Sequence, residues 1–125
     1  MTTTEILAQI QELLDYVSDK EYWILTGDFN VRFDTVESDG YATLVEPFLN
    51  QGYHVANGDD FGILQTWCNQ NSTTDWHSID NIFTSSNITI TNAYVDDTKV
   101  DAYINGYFSE YGIDHIPLIA ELEVN

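Results

Sequence analysis

The chain has 125 residues, enough for one domain with a buried core, and its 43% hydrophobic and 14% aromatic content excludes a disordered chain. Three Lys and Arg residues against 21 Asp and Glu residues give a formal net charge of -18, which excludes an electrostatic grip on duplex nucleic acid by this chain alone. No apolar stretch reaches the roughly 20 residues of a membrane span, and no signal peptide is predicted, so the sequence assigns no compartment. The single cysteine, Cys68, excludes an internal disulfide.

The N-terminal segment predicts an amphipathic helix of about four turns. Thr2 and Glu5 have the spacing of a capping box, in which the threonine hydroxyl caps the helix and the glutamate reaches back. Apolar residues then follow at helical spacing, at Ile6, Ile10, Leu13, Leu14 and Val17.

The next elements are a short strand and a second helix. The apolar run Tyr22–Thr26 predicts a buried, central strand, and residues 31–40 are polar and loop-like. Gly52 is suited to end the second helix, whereas Pro47 requires this helix either to start later or to bend. The apolar residues of this predicted helix are Tyr41, Leu44, Val45, Phe48 and Leu49.

The second half of the chain predicts strands, because β-branched and aromatic residues become frequent. Pro117 falls near the start of the last strand, where proline is tolerated. Two helices and several strands without a linker predict a single α+β unit over residues 1–125, with one mixed, mostly antiparallel sheet and both helices on one face. The four predicted strands are Ile63–Cys68, Ile79–Thr84, Ile88–Val95 and Ile116–Val124.

The tetrapeptide Gly-Asp-Phe-Asn at residues 27–30 follows the first predicted strand. Asp28 and Asn30 are two residues apart, so in extended backbone their side chains point to the same side. A carboxylate and a carboxamide placed in this way can act on one target together. The same tetrapeptide also suits an ordinary turn, and its residues alone leave both interpretations open.

Three further places in the sequence carry chemistry. Asp80 lies inside an apolar strand, where an unpaired charge is costly, and Asp114 and His115 open the last strand. Thr66 and Trp67 are candidates for the rim of a site. Taken singly, each has a structural alternative: a strand-end carboxylate, a structural histidine, a core tryptophan and a strand threonine. His54 and His77 have no partner that the sequence identifies and are interpreted as surface or structural histidines.

Taken in order, these motifs resemble the endonuclease/exonuclease/phosphatase superfamily, whose members include deoxyribonuclease-I-like nucleases. The last motif of that superfamily usually begins Ser-Asp-His, and Ile113 stands here in place of the serine. The strand motif is usually Ile-Asp-Tyr, and Asn81 stands here in place of the aromatic residue. Neither departure removes a reacting group. The matching segments are Gly27–Asn30, Thr66–Trp67, Ile79–Phe83 and Asp114–Pro117.

The resemblance implies a role for each matching residue. Asp28 would orient or activate the attacking water, and Asn30 would bind a phosphate oxygen. His115 would contact the phosphate and stabilise the charge of the transition state, while Asp80 would accept a hydrogen bond from His115 and fix its tautomer. Asp114, with Asp28, would hold a divalent ion, Mg²⁺ or Mn²⁺, which would act as Lewis acid in an in-line displacement by water.

The resemblance covers only the C-terminal half of that superfamily's domain, a half of a four-layer α/β/β/α sandwich. In the family, the other half supplies an Asn and a Glu that bind the metal, and another chain or a longer product would have to provide them. An isolated half would expose one apolar sheet face, so we expect a homodimer through that face or a missing N-terminal half as the partner.

Two functions follow from the sequence. The first is the C-terminal half of a metal-dependent phosphoesterase that cleaves a phosphodiester or a phosphomonoester. The second is a catalytically incompetent fold remnant that acts as a structural or self-association module. The substrate class remains open among nucleic acid, lipid headgroup, inositol phosphate and sugar phosphate.

Overall fold

The computed structural model describes residues 2–68, 75–97 and 115–125. The first helix, α1, comprises Thr3–Val17. Thr2 is its N-cap, and the Thr2 hydroxyl accepts a hydrogen bond from the backbone N–H of Glu5 at 3.2 Å. This bond satisfies one of the N–H groups that a helix leaves unpaired at its N-terminus. The predicted helix and its threonine cap are therefore confirmed.

The second helical region changes its winding at a proline. A π-helical segment, Tyr41–Val45, leads directly into the short α-helix α2, Glu46–Asn50. Pro47 lies in the first turn of α2. Proline is tolerated there, because the backbone nitrogens of the first turn of an α-helix donate no hydrogen bond within that helix. Gly52 follows α2 with a φ of +82°, the left-handed conformation that glycine adopts at helix C-termini.

The principal sheet has three strands in the order β1-β5-β2, and both pairings are antiparallel. Leu25 lies opposite Phe83, and Asp28 lies opposite Asp80. In chain order, the strands of the described residues are β1 (Ile24–Asp28), β2 (His54–Val55), β3 (Trp67–Cys68), β4 (Trp76–His77), β5 (Asp80–Thr84), β6 (Ile88–Val95) and β7 (Leu118–Val124).

Both helices pack on one face of this sheet. Phe83 of β5 is fully buried and stacks on Phe48 of α2, with ring centroids 4.0 Å apart and planes inclined by 14°. Ile10 and Leu14 bring α1 into the same core, which also contains Val55 of β2. The predicted α+β class, with two helices on one face of a sheet, is confirmed.

The opposite face of β1 is open. Ile24 is 52% exposed and Thr26 is also exposed, whereas Leu25, which points to the helices, is half-buried. Within the described residues β1 is an edge strand, and β5 is the central one. The prediction of a buried, central first strand is therefore wrong, since only one face of β1 is covered.

The remaining strands form two smaller sheets, β3-β4 and β6-β7. Every pairing that the structure describes is antiparallel, so the arrangement differs from the single mixed sheet predicted. Of the predicted strand Ile63–Cys68, only the last two residues form a strand. The backbone N–H and carbonyl of Leu64 instead form hydrogen bonds with the Asn57 side chain. β6 has the predicted bounds. None of the described helices is long and apolar enough to cross a membrane.

Candidate active site

Asp28 and Asn30 lie in a tight turn at the end of β1. The backbone N–H of Asn30 donates to Asp28 Oδ1 at 2.8 Å, and Asn30 adopts a φ of +54°, which asparagine tolerates better than most residues. The N–H of Phe29 donates to the carbonyl of Ile79 at 3.0 Å, which ties the turn to the residue before β5. The segment is thus a turn, as one interpretation predicted, and this turn holds the Asp28 carboxylate beside Asp80.

Asp28 and Asp80 face each other across β1 and β5. They are direct partners in the antiparallel register, so their side chains project from the same face of the sheet. Two carboxylates directly opposite each other repel, and this repulsion is relieved when a cation lies between them or next to them. A positive charge beside the two carboxylates would therefore stabilise them.

His115 lies against both carboxylates, although it comes from a distant part of the chain. Its Nδ1 is 2.8 Å from Asp80 Oδ2, and its Nε2 is 3.6 Å from Asp28 Oδ2. Because the Asp80 carboxylate can only accept, the short contact requires the proton of a neutral imidazole to be on Nδ1. Nε2 then turns toward Asp28 and the pocket.

The three groups fit a divalent cation. One ligand atom from each of Asp28, Asp80 and His115 lies within 4.8 Å of the others. Carboxylate oxygens are the ligands that Mg²⁺ and Mn²⁺ prefer. The side chains of Asp28 and His115 are 36% and 34% exposed, which leaves room for the water ligands that Mg²⁺ retains. The predicted metal ligand Asp114 lies outside the described residues.

Thr66 lies beneath the site and is fully buried. Its Oγ1 is 3.4 Å from the backbone nitrogen of Ile79 and 3.3 Å from that of Asp80. Its carbonyl accepts from the N–H of Ile116 at 2.9 Å. Thr66 therefore joins the segment that carries Asp80 to the segment that carries His115, and it reaches the site through these neighbours.

A pocket of about 280 Å³ opens at these residues. Trp67, predicted at the rim, lines this pocket together with His115 and the turn residues Asp28 and Asn30. Arg32 also lines it, with its guanidinium carbon 5.6 Å from the centroid of the Trp67 ring. Arg32 was missing from the predicted site, although the sequence held a signal: a cation is rare in this chain, and this one follows the Gly-Asp-Phe-Asn motif by two residues.

His77 has two partners that the sequence did not identify. Its Nδ1 is 2.7 Å from Asp34 Oδ2 and its Nε2 is 2.7 Å from Asp75 Oδ1. Its side chain is 14% exposed, which agrees with the interpretation as a structural histidine, and the structure supplies the partners that the sequence could not name. His54 also has a partner, since its Nδ1 contacts the backbone carbonyl of Ile88.

Comparison with known proteins adds evidence on the fold. No family model matches the chain, and no curated protein matches its sequence. An endonuclease/exonuclease/phosphatase from Bacteroides vulgatus is similar in structure, with a TM-score of 0.59 and 23% identity over 98% of this chain and 44% of that one. An endonuclease/exonuclease/phosphatase family protein from Bacteroides thetaiotaomicron gives a TM-score of 0.62 and 23% identity over 100% and 46%. A mannosyl-6-phosphatase from Bacteroides thetaiotaomicron gives a TM-score of 0.54 and 20% identity, over 94% of this chain and 44% of that one.

These likenesses concern the fold. The chain has the fold of part of the endonuclease/exonuclease/phosphatase structures and spans less than half of their length. The predicted resemblance to that superfamily is therefore confirmed at the level of the fold, and the coverage is consistent with the predicted match to its C-terminal half.

Proposed function

We propose that this chain contributes to a divalent-metal-dependent phosphoesterase, in which water displaces a group from a phosphoester by in-line attack. The observation that carries the proposal is the convergence of Asp28, Asp80 and His115 beside a pocket. The three residues come from separate parts of the chain, and a purely structural role does not require two opposed carboxylates at an open surface. The likeness in fold to phosphatase structures supports the same conclusion.

Each residue receives a role from its position. Asp28 is the more exposed of the two carboxylates and orients or activates the attacking water. Asp80 accepts the Nδ1–H of His115 and thereby aims Nε2 into the pocket. In the imidazolium form, which keeps the Nδ1–H on Asp80 and carries a second proton on Nε2, His115 contacts the phosphoryl oxygens and stabilises the negative charge that grows on them, as preorganised donors do in other active sites. Asn30 lines the same pocket and binds a phosphate oxygen.

A divalent ion would be held by the Asp28 and Asp80 carboxylates, with the His115 imidazole beside it. When bound, such an ion supplies Lewis-acid polarisation of the phosphoryl group and offsets the charge of the two carboxylates. Mg²⁺ and Mn²⁺ both suit this donor set.

The test is hydrolysis of p-nitrophenyl phosphate and of bis-p-nitrophenyl phosphate with Mg²⁺ or Mn²⁺, before and after chelation. We expect metal-dependent release of nitrophenol that falls by about 10²-fold or more in Asp28→Ala and His115→Gln. Asp60→Ala, an exposed carboxylate away from the site, is the control and should be unchanged. Hydrolysis that survives both substitutions would show that another site is responsible. Titration with Mn²⁺ provides a second readout, because Asp28→Ala should weaken binding by about 10-fold or more.

The acidic charge of the chain favours a small phosphoester over a polyanion as the substrate. The pocket of about 280 Å³ adjoins a second cavity of about 350 Å³ that shares Asp28 and His115 with it, so the volume sets no limit on the substrate, whereas the formal net charge of -18 opposes the approach of a polyanion. One similar structure is named a mannosyl-6-phosphatase, so mannose 6-phosphate is included among the substrates to be tested.

The second candidate function is self-association, which we propose on the open face of β1. Ile24 is 52% exposed there although it lies within a strand, and a second copy of the chain could cover it by a two-fold arrangement. Ile24→Asp should shift the mass measured by sedimentation toward that of a monomer. Leu49→Asp, which changes a residue 39% exposed on α2, is the matched control. A monomeric wild-type chain at micromolar concentration would contradict this proposal.

A further inference from the structure

Arg32 places a positive charge in the candidate pocket of an otherwise acidic chain. Only three residues of the sequence are Lys or Arg, against 21 Asp and Glu. Lys20 pairs with Asp19 at 3.1 Å at the end of α1, away from the pocket. Arg32 shares the pocket with Asp28, Asn30 and His115. Among the described carboxylates, none lies within ion-pair distance of Arg32, so its guanidinium is available to a ligand.

The backbone that carries Arg32 is fixed on both sides. The next residue, Phe33, is fully buried, and its N–H donates to the carbonyl of Ser78 at 3.1 Å. Gly40 approaches the Arg32 carbonyl so closely that a Cβ on Gly40 would lie 1.6 Å from that oxygen. An exposed, long side chain therefore extends from a held backbone, which lowers the conformational entropy lost when it binds.

The guanidinium also has a fixed neighbour. Its central carbon lies 5.6 Å from the centroid of the Trp67 ring, a cation–π distance. Trp67 is itself held, since its ring lies 5.7 Å from that of His77 and its backbone bridges to His115. The aromatic ring thus supports the guanidinium at the wall of the pocket without neutralising its charge.

On these observations, and on the basis of the proposed function, we infer that Arg32 binds the terminal oxygens of a phosphomonoester and makes the site prefer monoesters over diesters. A phosphomonoester carries a charge near -2 at pH 7 and three terminal oxygens, which match the two-pronged geometry of a guanidinium. A diester carries a single charge and only two non-bridging oxygens, so it gains less from contact with a guanidinium. In a chain whose net charge repels anions, one placed cation has a large effect on which anion enters.

The first test compares p-nitrophenyl phosphate with bis-p-nitrophenyl phosphate in the wild type, Arg32→Gln and Arg32→Lys. Losing a charge-assisted, two-pronged contact should raise KM for the monoester by about 10- to 100-fold. KM for the diester should change by less than about threefold. Arg32→Lys should recover only part of the loss, because an ammonium cannot bind two oxygens in the same way. Lys20→Gln removes a cation distant from the pocket and should leave both substrates unchanged.

The second test does not depend on turnover. Inorganic phosphate is titrated into each protein in the presence of Mg²⁺ and followed by the NMR signal of the Trp67 indole, assigned with Trp67→Phe. Because the guanidinium lies over this ring, phosphate that engages Arg32 should move the signal in the wild type. Arg32→Gln should bind phosphate about 10-fold or more weakly.

The two tests separate this inference from the proposed function. A chain that binds phosphate through Arg32 without hydrolysing either ester would contradict the proposed function and support the role of Arg32. Hydrolysis in which Arg32→Gln affects monoester and diester equally would contradict the role of Arg32 and leave the phosphoesterase in place. Unchanged phosphate affinity in Arg32→Gln would also overturn the inference.

Discussion

The Nδ1 of His115 lies 2.8 Å from Asp80 Oδ2, although 35 positions separate the two residues in the chain. This contact also determines how the imidazole ring is protonated and oriented. It sets which imidazole nitrogen carries the proton and which one faces Asp28 and the pocket. Through this contact the carboxylate positions the histidine, in addition to the place that it would take beside a bound divalent ion.

Replacing Asp80 with Asn should leave the shape of the site intact and disturb its chemistry. An amide at this position can donate as well as accept, so it also supports the tautomer with the proton on Nε2. By analogy with other carboxylate–histidine pairs, we expect kcat to fall by about 10²-fold or more with little change in KM. The histidine tautomer can be read from the ¹⁵N chemical shifts of its ring.

The matched control for this substitution is Asp75→Asn. Asp75 is also 2.7 Å from a histidine nitrogen, but its partner is His77. An equal loss of kcat in both variants would show that the effect comes from removing a charge near the sheet and not from the orientation of His115.

Thr66 should affect both stability and activity. Thr66→Val keeps the shape of the side chain but removes the buried hydroxyl near the backbone N–H groups of Ile79 and Asp80. Leaving these groups without an acceptor should lower the free energy of unfolding by about 1–3 kcal/mol, as measured in urea, and lower kcat because Asp80 is then less well held. Thr66→Ser retains the hydroxyl and should recover most of both. A fully active Thr66→Val would argue against this coupling.

Much of the fold could be predicted from local sequence signals. The Thr2 cap, the α1 spacing and the bounds of β6 depend on neighbouring residues, and the structure agrees with each. Within residues 2–68, 75–97 and 115–125 the strands form three antiparallel sheets and not one mixed sheet, because strand pairing depends on contacts between distant segments that periodicity does not encode. The exposure of β1 also depends on which layers cover it, and no pattern inside the strand reports this.

The candidate site was predictable only in part. Asp28, Asp80 and His115 could be selected because their residue types at strand ends match a known motif order, and the structure brings these three together. Arg32 and the pairing of His77 with Asp34 were missed, since each depends on a loop conformation that the sequence describes only as polar. The polar character of residues 31–40 predicted a loop and gave no indication that Phe33 would be fully buried.

A buried pair of asparagines should be among the most sensitive positions for stability. The Asn57 N–H donates to Asn81 Oδ1 at 2.9 Å, and the Asn81 side-chain amide donates to the Asn57 carbonyl at 2.9 Å. Asn57 also bonds through its own side chain to both backbone groups of Leu64. Asn57→Ala should cost about 2–5 kcal/mol of unfolding free energy, because several buried groups lose partners. Asn92→Ala, on the exposed surface of β6, should change stability by less than about 0.5 kcal/mol.

Alkaline pH should destabilise the fold partly through Tyr41. Burial raises the pKa of Tyr41 above its ordinary value of 10.0, and the charges of Asp59 and Glu46 act in the same direction. The folded state therefore favours the neutral phenol, so this contribution to stability is complete below about pH 10 and is lost as the pH rises further. When the pH is raised from about 8 to about 10.5, the free energy of unfolding should fall less for Tyr41→Phe than for the wild type. Tyr16→Phe, which changes a residue 68% exposed, should behave as the wild type.

Gly40 should tolerate no side chain, and a substitution there should also disturb Arg32 in the pocket. Its φ of -63° is helical, so alanine there is conformationally acceptable and intrinsically more favourable than glycine. The added Cβ would nevertheless lie 1.6 Å from the Arg32 carbonyl oxygen, a backbone atom that must move. We expect Gly40→Ala to lower the free energy of unfolding by about 1–3 kcal/mol and to weaken phosphate binding together with it.

The control for Gly40 is Gly58→Ala, whose new Cβ would meet the Val55 side chain at 3.3 Å and not a backbone atom. The Val55 methyl group is buried and must shift by a few tenths of an ångström, so this variant should lose less stability than Gly40→Ala and should keep its phosphate affinity. An increase in stability for Gly40→Ala, as helix propensity alone would give, would show that the segment relaxes without displacing Arg32. A loss of stability with unchanged phosphate affinity would mean that the Arg32 guanidinium binds phosphate equally well after its backbone has moved.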